Sequence, residues 1–286
     1  VKKQIEHALL YPNIHREFCS DFVATVTQKL HSLGIKTILA EEKRQHISTK
    51  ADVYLPEKEA FAACDICIVL GGDGTMLSAA HIACSTDTPL LGINLGTLGY
   101  MSELELEELD LLDKLKTGFE YADRMMIDIT CTRNGAELET FTALNEAIIT
   151  RGAIASMLGL TLICDGSKVN RYRADGLIIA TPTGSSAYSM SAGGPIIDTK
   201  LDAFCVCPIC SYSLAGSRAL IFAPHSVIEI EPYSEKGGDI VMTADGRYSM
   251  PLKDYDRVVI RKSRKKTRFI KLKKDAFYDV LNRKLG

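Results

Sequence analysis

The sequence lacks a dominant charge, a membrane-length apolar run and the usual phosphate-loop signatures. Across 286 residues, 34 Lys and Arg against 36 Asp and Glu leave a formal net charge of −2. A balance that even gives no field strong enough to imply nucleic acid or a membrane surface. No apolar stretch approaches the ~18 residues expected of a spanning helix. The amino-terminal stretch VKKQIEHALLYPN starts basic but breaks its apolar run after Tyr11 and has no small-residue cleavage site, so a signal peptide is not expected. Nine cysteines form an odd set in a chain too long to need disulfide staples. Cys205, Cys207 and Cys210 cluster, yet no second Cys/His cluster completes a zinc site. They read as buried thiols, and a reducing cytoplasm is the expected location.

What is present is an ordinary globular balance, 46% hydrophobic and 24% charged. The length exceeds one usual hydrophobic core, so one large domain or two ordinary ones are expected. The first third alternates strand-like and helix-like segments. HALLYP stops at Pro12, and Phe18, Phe22, Val26, Leu30 and Leu33 recur at helical spacing up to Gly34. KTILA, DICIVL and TPLLGIN read as further strands, with helix-like MLSAAHIAC between the last two. Glu103 to Lys116 reads as another helix. Alternation of this kind predicts a mostly parallel sheet covered by helices.

The period changes after about Tyr121. Short alternating segments follow, separated by turn signals that include Asn134-Gly135, Asp165-Gly166 and Asp245-Gly246. They predict an all-β sandwich or folded sheet, interrupted once by the small-residue segment Gly184 to Gly194. The basic run Arg261 to Lys274 lacks stacking aromatics and reads as a solvated hairpin with a lysine-rich edge, not as a nucleic-acid patch. The last residues read as a terminal helix.

Chemistry concentrates in VLGGDGTML, Val69 to Leu77. No lysine follows the glycines as Walker A requires, and the G-x-G-x-x-G fingerprint is absent at this strand end. A strand end, a glycine turn and a helix N-terminus nevertheless present backbone N–H groups to an anion. Asp73 inverts that logic, since a carboxylate repels a bare phosphate. It fits if it meets a proton or a cation, accepting a hydroxyl proton during phosphoryl transfer or helping to hold magnesium. The plainer reading is an aspartate that stabilises a tight turn. A second cluster, Arg171 to Ile196, crowds hydroxyls around glycines after an apolar strand, which lets a planar ligand approach the backbone. A third, LNEAIIT, places Asn145-Glu146 at the head of a β segment and is weak alone.

Together these motifs resemble the NAD kinase family, through GGDGT (Gly71–Thr75), NLGTLGY (Asn94–Tyr100), LNE (Leu144–Glu146), DGLIIATPTGSSAYSMSAGGP (Asp175–Pro195) and DGR (Asp245–Arg247). The resemblance covers nearly the whole chain. It implies an α/β amino-terminal domain with a Rossmann-like parallel sheet over residues 1–122, a β-rich NAD-binding domain resembling a β-sandwich over 123–264, and a carboxyl-terminal strand and helix over 265–286 that pack back on the α/β domain. It also implies phosphorylation of the 2′-hydroxyl on the adenosine ribose of NAD, with ATP or another phosphoryl donor and Mg²⁺ or another divalent cation held mainly through the donor phosphates.

By the same resemblance Asp73 matches the catalytic aspartate, and Gly71, Gly72, Gly74 and Thr75 the phosphate-handling turn. Asn145 and Glu146 match residues that bind the adenosine part of NAD, and Tyr100 an aromatic lining the adenine pocket. Thr183, Ser186, Ala187 and Tyr188 match positions around that adenine, Asp175 an acidic contact to the nicotinamide riboside, and Asp245 a further NAD-binding position. A homo-oligomer is implied, dimer or tetramer, with no nucleic-acid or membrane partner. The departures are Tyr212, where the family usually carries histidine in a Pro-His-Ser-Leu pattern, and Arg247, where it often carries glutamine. The turn alone also suits a lipid or sugar-phosphate kinase, and a non-catalytic NAD-binding sensor could share the fold.

Overall fold

A computed structural model describes residues 5–96, 99–152, 157–212, 218–274 and 276–285. Its contacts divide the chain into two compact units, residues 1–123 with 267–286, and residues 124–266.

The first unit is a parallel sheet with helical crossovers. In chain order it holds β1 (His7–Pro12), α1 (Cys19–Ser32), β2 (Lys36–Ala40), β3 (Val53–Leu55), α2 (Glu57–Ala63), β4 (Ile66–Leu70), α3 (Asp73–Thr86), β5 (Leu90–Asn94), β6 (Leu104–Glu105) and α4 (Lys114–Thr117). β4 and β5 are continuous apolar runs because both of their faces are covered. α1 turns one stripe inward through Val23, Val26 and Leu30, and Gly34 beyond its end takes a φ of +69°. Parallel pairing runs β5-β4-β1-β2-β3, so β1 lies between β2 and β4. The connection leaving β1 heads toward β2, whereas the one leaving β4 heads toward β5. A crevice therefore opens at the carboxyl ends of β1 and β4, where open α/β sheets take their ligands.

The stretch Glu103 to Lys116 departs from the expected single helix. It holds the short strand β6, a 3₁₀ stretch Leu106–Asp113 and then α4, which stops at Gly118 with φ +131°. Leucines at 104, 106, 109, 111, 112 and 115 do not share one helical stripe. The Glu103 carboxylate is committed elsewhere, accepting the N–H groups of Leu272 and Lys273 at 2.7 Å each.

The second unit is a two-sheet β structure. Its strands are β7 (Glu120–Arg133, which begins in the first unit), β8 (Ala136–Ala143), β9 (Glu146–Arg151), β10 (Leu158–Cys164), β11 (Ser167–Ala174), β12 (Gly176–Ala180), β13 (Phe204–Ile209), β14 (Leu220–Phe222), β15 (Ile228–Ser234), β16 (Ile240–Ala244) and β17 (Tyr248–Leu252). One antiparallel sheet runs β14-β13-β12-β9-β16-β17. In the other, β11, β10 and β15 pair in that order. Leu158, Leu160 and Leu162 of β10 meet Ile149 of β9 and Leu177 and Ile179 of β12 in one core, the alternation a sandwich requires. The small-residue segment supplies a 3₁₀ turn, Gly184–Ser186, and the short helix α5 (Tyr188–Ser191).

The basic run is not a hairpin. β18 (Arg257–Lys271) passes through it as a single strand, pairing with β15 over Val258 to Ile260 and with β5 at Phe269. The stretch contains no glycine, proline or asparagine with which to turn. The strand buries Val258, Ile260, Ser263 and Thr267 and leaves Lys262, Arg264 and Lys266 exposed. α6 (Ala276–Leu285) ends the chain's described part. Among the described residues no helix is long and apolar enough to cross a membrane. Cys205 and Cys207 are buried, Cys210 is exposed with φ +47°, and no group of three metal-ligating side chains occurs among the described residues.

Candidate active site

The glycine turn sits at the crevice. β4 is fully buried to Leu70, after which the N–H of Gly71 bonds to Ile93 O at 3.0 Å. Gly72 caps α3, its carbonyl accepting the N–H groups of Thr75 at 3.0 Å and Met76 at 3.1 Å. A Cβ on Gly71 would lie 2.4 Å from Thr75 Oγ1, so this turn closes only around glycine. Asp73 opens the helix where a carboxylate suits the dipole. Its Oδ2 accepts the N–H of Tyr100 and its Oδ1 that of Met101, both at 2.9 Å. Gly99 permits this approach, because a Cβ there would stand 2.3 Å from Oδ1. Each carboxylate oxygen has a second lone pair for a proton or a cation.

Asp73, Gly72, Gly74 and Thr75 line a cavity of about 760 Å³ together with Asn13, Arg16, Lys43 and Ser78. Tyr100 is partly exposed, with Lys284 Nζ 4.2 Å from its ring centroid. Thr97 and Leu98 of the expected NLGTLGY motif, and Ser213 and Leu214 after Tyr212, lie outside the described residues. Tyr212 itself is 71% exposed, with the Arg173 guanidinium 5.5 Å from its ring centroid.

The β unit gathers the remaining expected residues around the start of β9. Asn145 and Glu146 are each 6% exposed. Asp245, in the Asp-Gly turn between β16 and β17, accepts three backbone N–H groups there: Leu144 at 2.7 Å, Asn145 at 2.8 Å and Glu146 at 3.0 Å. Thr181 holds the same segment from β12, donating its hydroxyl to Leu144 O at 2.6 Å and its N–H to Asn145 O at 2.8 Å. Gly184 presses on Asn145 so closely that a Cβ would meet its carbonyl oxygen at 2.1 Å. With their backbones held, Asn145 Oδ1 and Glu146 Oε2 remain buried acceptors with no hydrogen-bond partner among the described residues. Orphaned acceptors of this kind are costly and mark a site shaped for donors brought by a ligand.

Thr183 is buried beside them, and Ser186 donates its hydroxyl to Thr183 O at 3.2 Å. Ala187 links the 3₁₀ turn to α5, and Tyr188 is 45% exposed. Asp175 pairs with Arg151, Nε to Oδ1 at 2.9 Å. Sequence reasoning missed Arg16 and Lys43, which no motif contains, and gave no separate role to Gly99 or Thr181, although both lie within motifs visible in the sequence.

Burial, and then the Asp245 charge, push the Glu146 carboxyl up to about 8 from its usual 4.5. The folded chain thus holds a proton that the unfolded chain releases between pH 4.5 and about 8. The unfolded state binds fewer protons in that window, so stability falls as pH rises through it. The limiting slope is ~1.4 kcal/mol per pH unit for one proton. Urea unfolding of the wild type should show this decline, and Glu146→Gln should flatten it and gain stability relative to wild type at pH 8. Parallel profiles for the two proteins would refute a protonated Glu146.

The amino-terminal portion, residues 3–118, matches the family model of the ATP-NAD kinase N-terminal domain, and residues 144–272 match that of the ATP-NAD kinase C-terminal domain. The NAD kinase of Natranaerobius thermophilus is 36% identical over 278 residues, 96% of each chain. That of Syntrophotalea carbinolica is 45% identical over 224 residues, 78% of each chain. Among solved structures, an Archaeoglobus fulgidus NAD kinase in complex with ATP has a TM-score of 0.73 at 26% identity, covering 98% of each chain. Yeast NADH kinase complexed with NADH shares the fold at a TM-score of 0.85 and 23% identity, covering 100% of this chain and 89% of that one. Both halves of the sequence carry a domain of the same enzyme, in the same order, over the fold those structures adopt. The chain belongs to the NAD kinase family.

Proposed function

We propose that this chain transfers the terminal phosphoryl group of ATP to the 2′-hydroxyl of the adenosine ribose of NAD, forming NADP. The observation that carries the reading is the Asp73 carboxylate, fixed by two backbone N–H groups at the rim of a cavity floored by a glycine turn and a helix N-terminus. In the reaction the ribose oxygen forms a bond to the γ-phosphorus as the β,γ-bridging P–O bond breaks. Asp73 accepts the hydroxyl proton, which a carboxylate with a spare lone pair on each oxygen is equipped to do. Gly71, Gly72, Gly74 and Thr75 present the turn and the start of α3 to the donor phosphates.

Asn145 and Glu146 hold the adenosine part of NAD, their orphaned oxygens accepting from its amino and hydroxyl groups. A protonated Glu146 gains a donor as well. Thr183, Ser186, Ala187 and Tyr188 surround the adenine, with Tyr100 as an aromatic wall. Asp175, paired with Arg151, contacts the nicotinamide riboside end, and Asp245 serves NAD through the backbone it holds. The domains divide as 1–122, 123–264 and 265–286. The protein acts as a cytoplasmic homo-oligomer.

A divalent cation fits the donor set in one mode. Asp73 is the carboxylate among the described residues lining the cavity, and no cluster of three ligating side chains occurs among them. Magnesium commonly rides on substrate phosphates with one or two protein carboxylates. When bound it offsets the charge that gathers on the transferred group. Asp73 is the side chain that would hold it.

The test is NADP formation from NAD with ATP and Mg²⁺, with GTP and polyphosphate as alternative donors and NADH as alternative acceptor. Steady turnover with NAD and ATP is expected. NAD binding without any phosphorylated product, under every donor, would instead establish a sensor.

A further inference from the structure

Two cations outside the glycine turn belong to the same cavity. Arg16 lies in the loop after β1, and Lys43 in the 3₁₀ turn Glu41–His46 after β2. Topology places both there, since β1 flanks β4 and its carboxyl end shares the crevice. Asn13 N–H, bonded to Leu70 O at 2.9 Å, ties the Arg16 loop to the strand that carries the glycine turn.

Both side chains are held, and neither makes an ion pair among the described residues. A Cβ on Gly96 would lie 1.5 Å from Arg16 Nη2 and 2.7 Å from its Cζ, so the guanidinium rests directly on the glycine backbone. That shelf is itself fixed. Asn94 Nδ2 donates to Gly96 O at 3.0 Å, and Asn94 Oδ1 accepts the Gly96 N–H at 3.2 Å. Lys43 Nζ donates to Pro12 O at 3.1 Å and lies 3.6 Å from the Tyr11 ring centroid. An ammonium has three donors, so one carbonyl leaves capacity for an anion. Burial lowers the Lys43 pKa, a cost that a bound anion would reverse.

The cavity needs such charges if it takes a polyphosphate. A helix N-terminus supplies roughly half an elementary charge, and Asp73 adds a negative one. The P-loop lysine that other phosphate turns carry is missing after Gly74. We propose that Arg16 and Lys43 supply this function from elsewhere in the fold, binding the phosphates of the donor and setting donor affinity while leaving the acceptor untouched. Arg16 offers a planar fork to two phosphate oxygens, and Lys43 a fixed point charge. This rests on the phosphotransferase reading above.

The experiment compares wild type with Arg16→Ala, Arg16→Lys, Lys43→Met and Gly96→Ala. ATP affinity is read by calorimetry without NAD, and KM for each substrate by steady-state assay. Losing a charge-assisted contact should raise the ATP Kd and ATP KM about 10- to 100-fold in Arg16→Ala and Lys43→Met. The NAD KM should stay within about twofold. Arg16→Lys should fall between, having charge without the fork. Gly96→Ala displaces only the end of a flexible side chain, so it should weaken ATP binding while the thermal midpoint holds. Unchanged ATP Kd in both charge-removing variants overturns the proposal, as does a rise in NAD KM with ATP Kd unchanged. A wild type that binds ATP yet forms no NADP would fail the phosphotransferase reading alone, because the calorimetric comparison still decides the role of these two residues.

Discussion

Replacing Asp73 with asparagine lowers kcat by about 10²- to 10⁴-fold, the usual worth of a general base, and leaves the KM for NAD near its wild-type value. The substitution is close to isosteric, so the glycine turn and α3 should form as before. It is not neutral for the loop, however. The wild-type carboxylate accepts one N–H from Tyr100 and one from Met101. An asparagine has a single acceptor oxygen, and its amide nitrogen would face the other N–H, donor against donor. Leaving one partly buried N–H unpaired costs ~1–3 kcal/mol. A fall of that size in unfolding free energy is therefore expected alongside the kinetic loss.

The two numbers separate the two roles. A 10²- to 10⁴-fold loss corresponds to ~2.7–5.5 kcal/mol in the barrier, and the upper part of that range exceeds what a loosened loop supplies. Urea unfolding and steady-state kinetics on the same variant make the comparison. Turnover within a few-fold of wild type would end the case for Asp73 as proton acceptor. A kinetic loss no larger than the stability loss would make it an anchor of the loop.

Local chemistry made much of the fold legible. Asn134-Gly135, Asp165-Gly166 and Asp245-Gly246 are turns whose first residues have φ of 51°, 51° and 50° and whose glycines have 81°, 80° and 63°, conformations that few other residue pairs adopt cheaply. Continuous apolar runs announced β4 and β5, because parallel strands bury both faces. The misread segments lacked such punctuation. Arg261 to Lys274 looked like a hairpin by charge, but with no turn residue to reverse it the chain runs on as one strand, pairing with β15 at one end and with β5 at the other. Glu103 to Lys116 looked helical by composition, while the carboxylate of Glu103 was committed to backbone about 170 residues away.

The site divides along the same line. The turn around Asp73 is contiguous in sequence and could be recognised from its glycines. Arg16 and Lys43 reach its cavity from loops after two other strands, and only the strand order brings them there. Asn145-Glu146 is an ordinary polar pair until Asp245, 99 to 101 residues onward, pins its backbone. A carboxylate facing a ligand and one facing backbone N–H groups obey the same sequence pattern, which is why Asp245 and the Leu144–Glu146 motif could each be flagged but their pairing could not.

Those partners make Asp245→Ala the variant with the largest expected effect on stability. The side chain is 6% exposed and accepts three backbone N–H groups. Alanine leaves all of them without an acceptor, at ~1–3 kcal/mol each, a sum comparable with the ~5–15 kcal/mol by which folded proteins are stable. Asparagine should cost much less. Oδ1 serves Asn145 and Glu146 while Oδ2 serves Leu144, so an amide oxygen placed as Oδ1 keeps two bonds and loses one. The expected order in urea unfolding is wild type, then Asp245→Asn, then Asp245→Ala by a wide margin. NAD affinity should follow that order, because Asn145 and Glu146 are placed by the backbone Asp245 holds. The neutral asparagine also removes the charge that helps to raise the Glu146 carboxyl toward about 8, so the pH window over which stability declines should narrow from its upper end in this variant. An Asp245→Ala protein with wild-type stability would show that Leu144, Asn145 and Glu146 find other acceptors, and the pinned segment would lose its explanation.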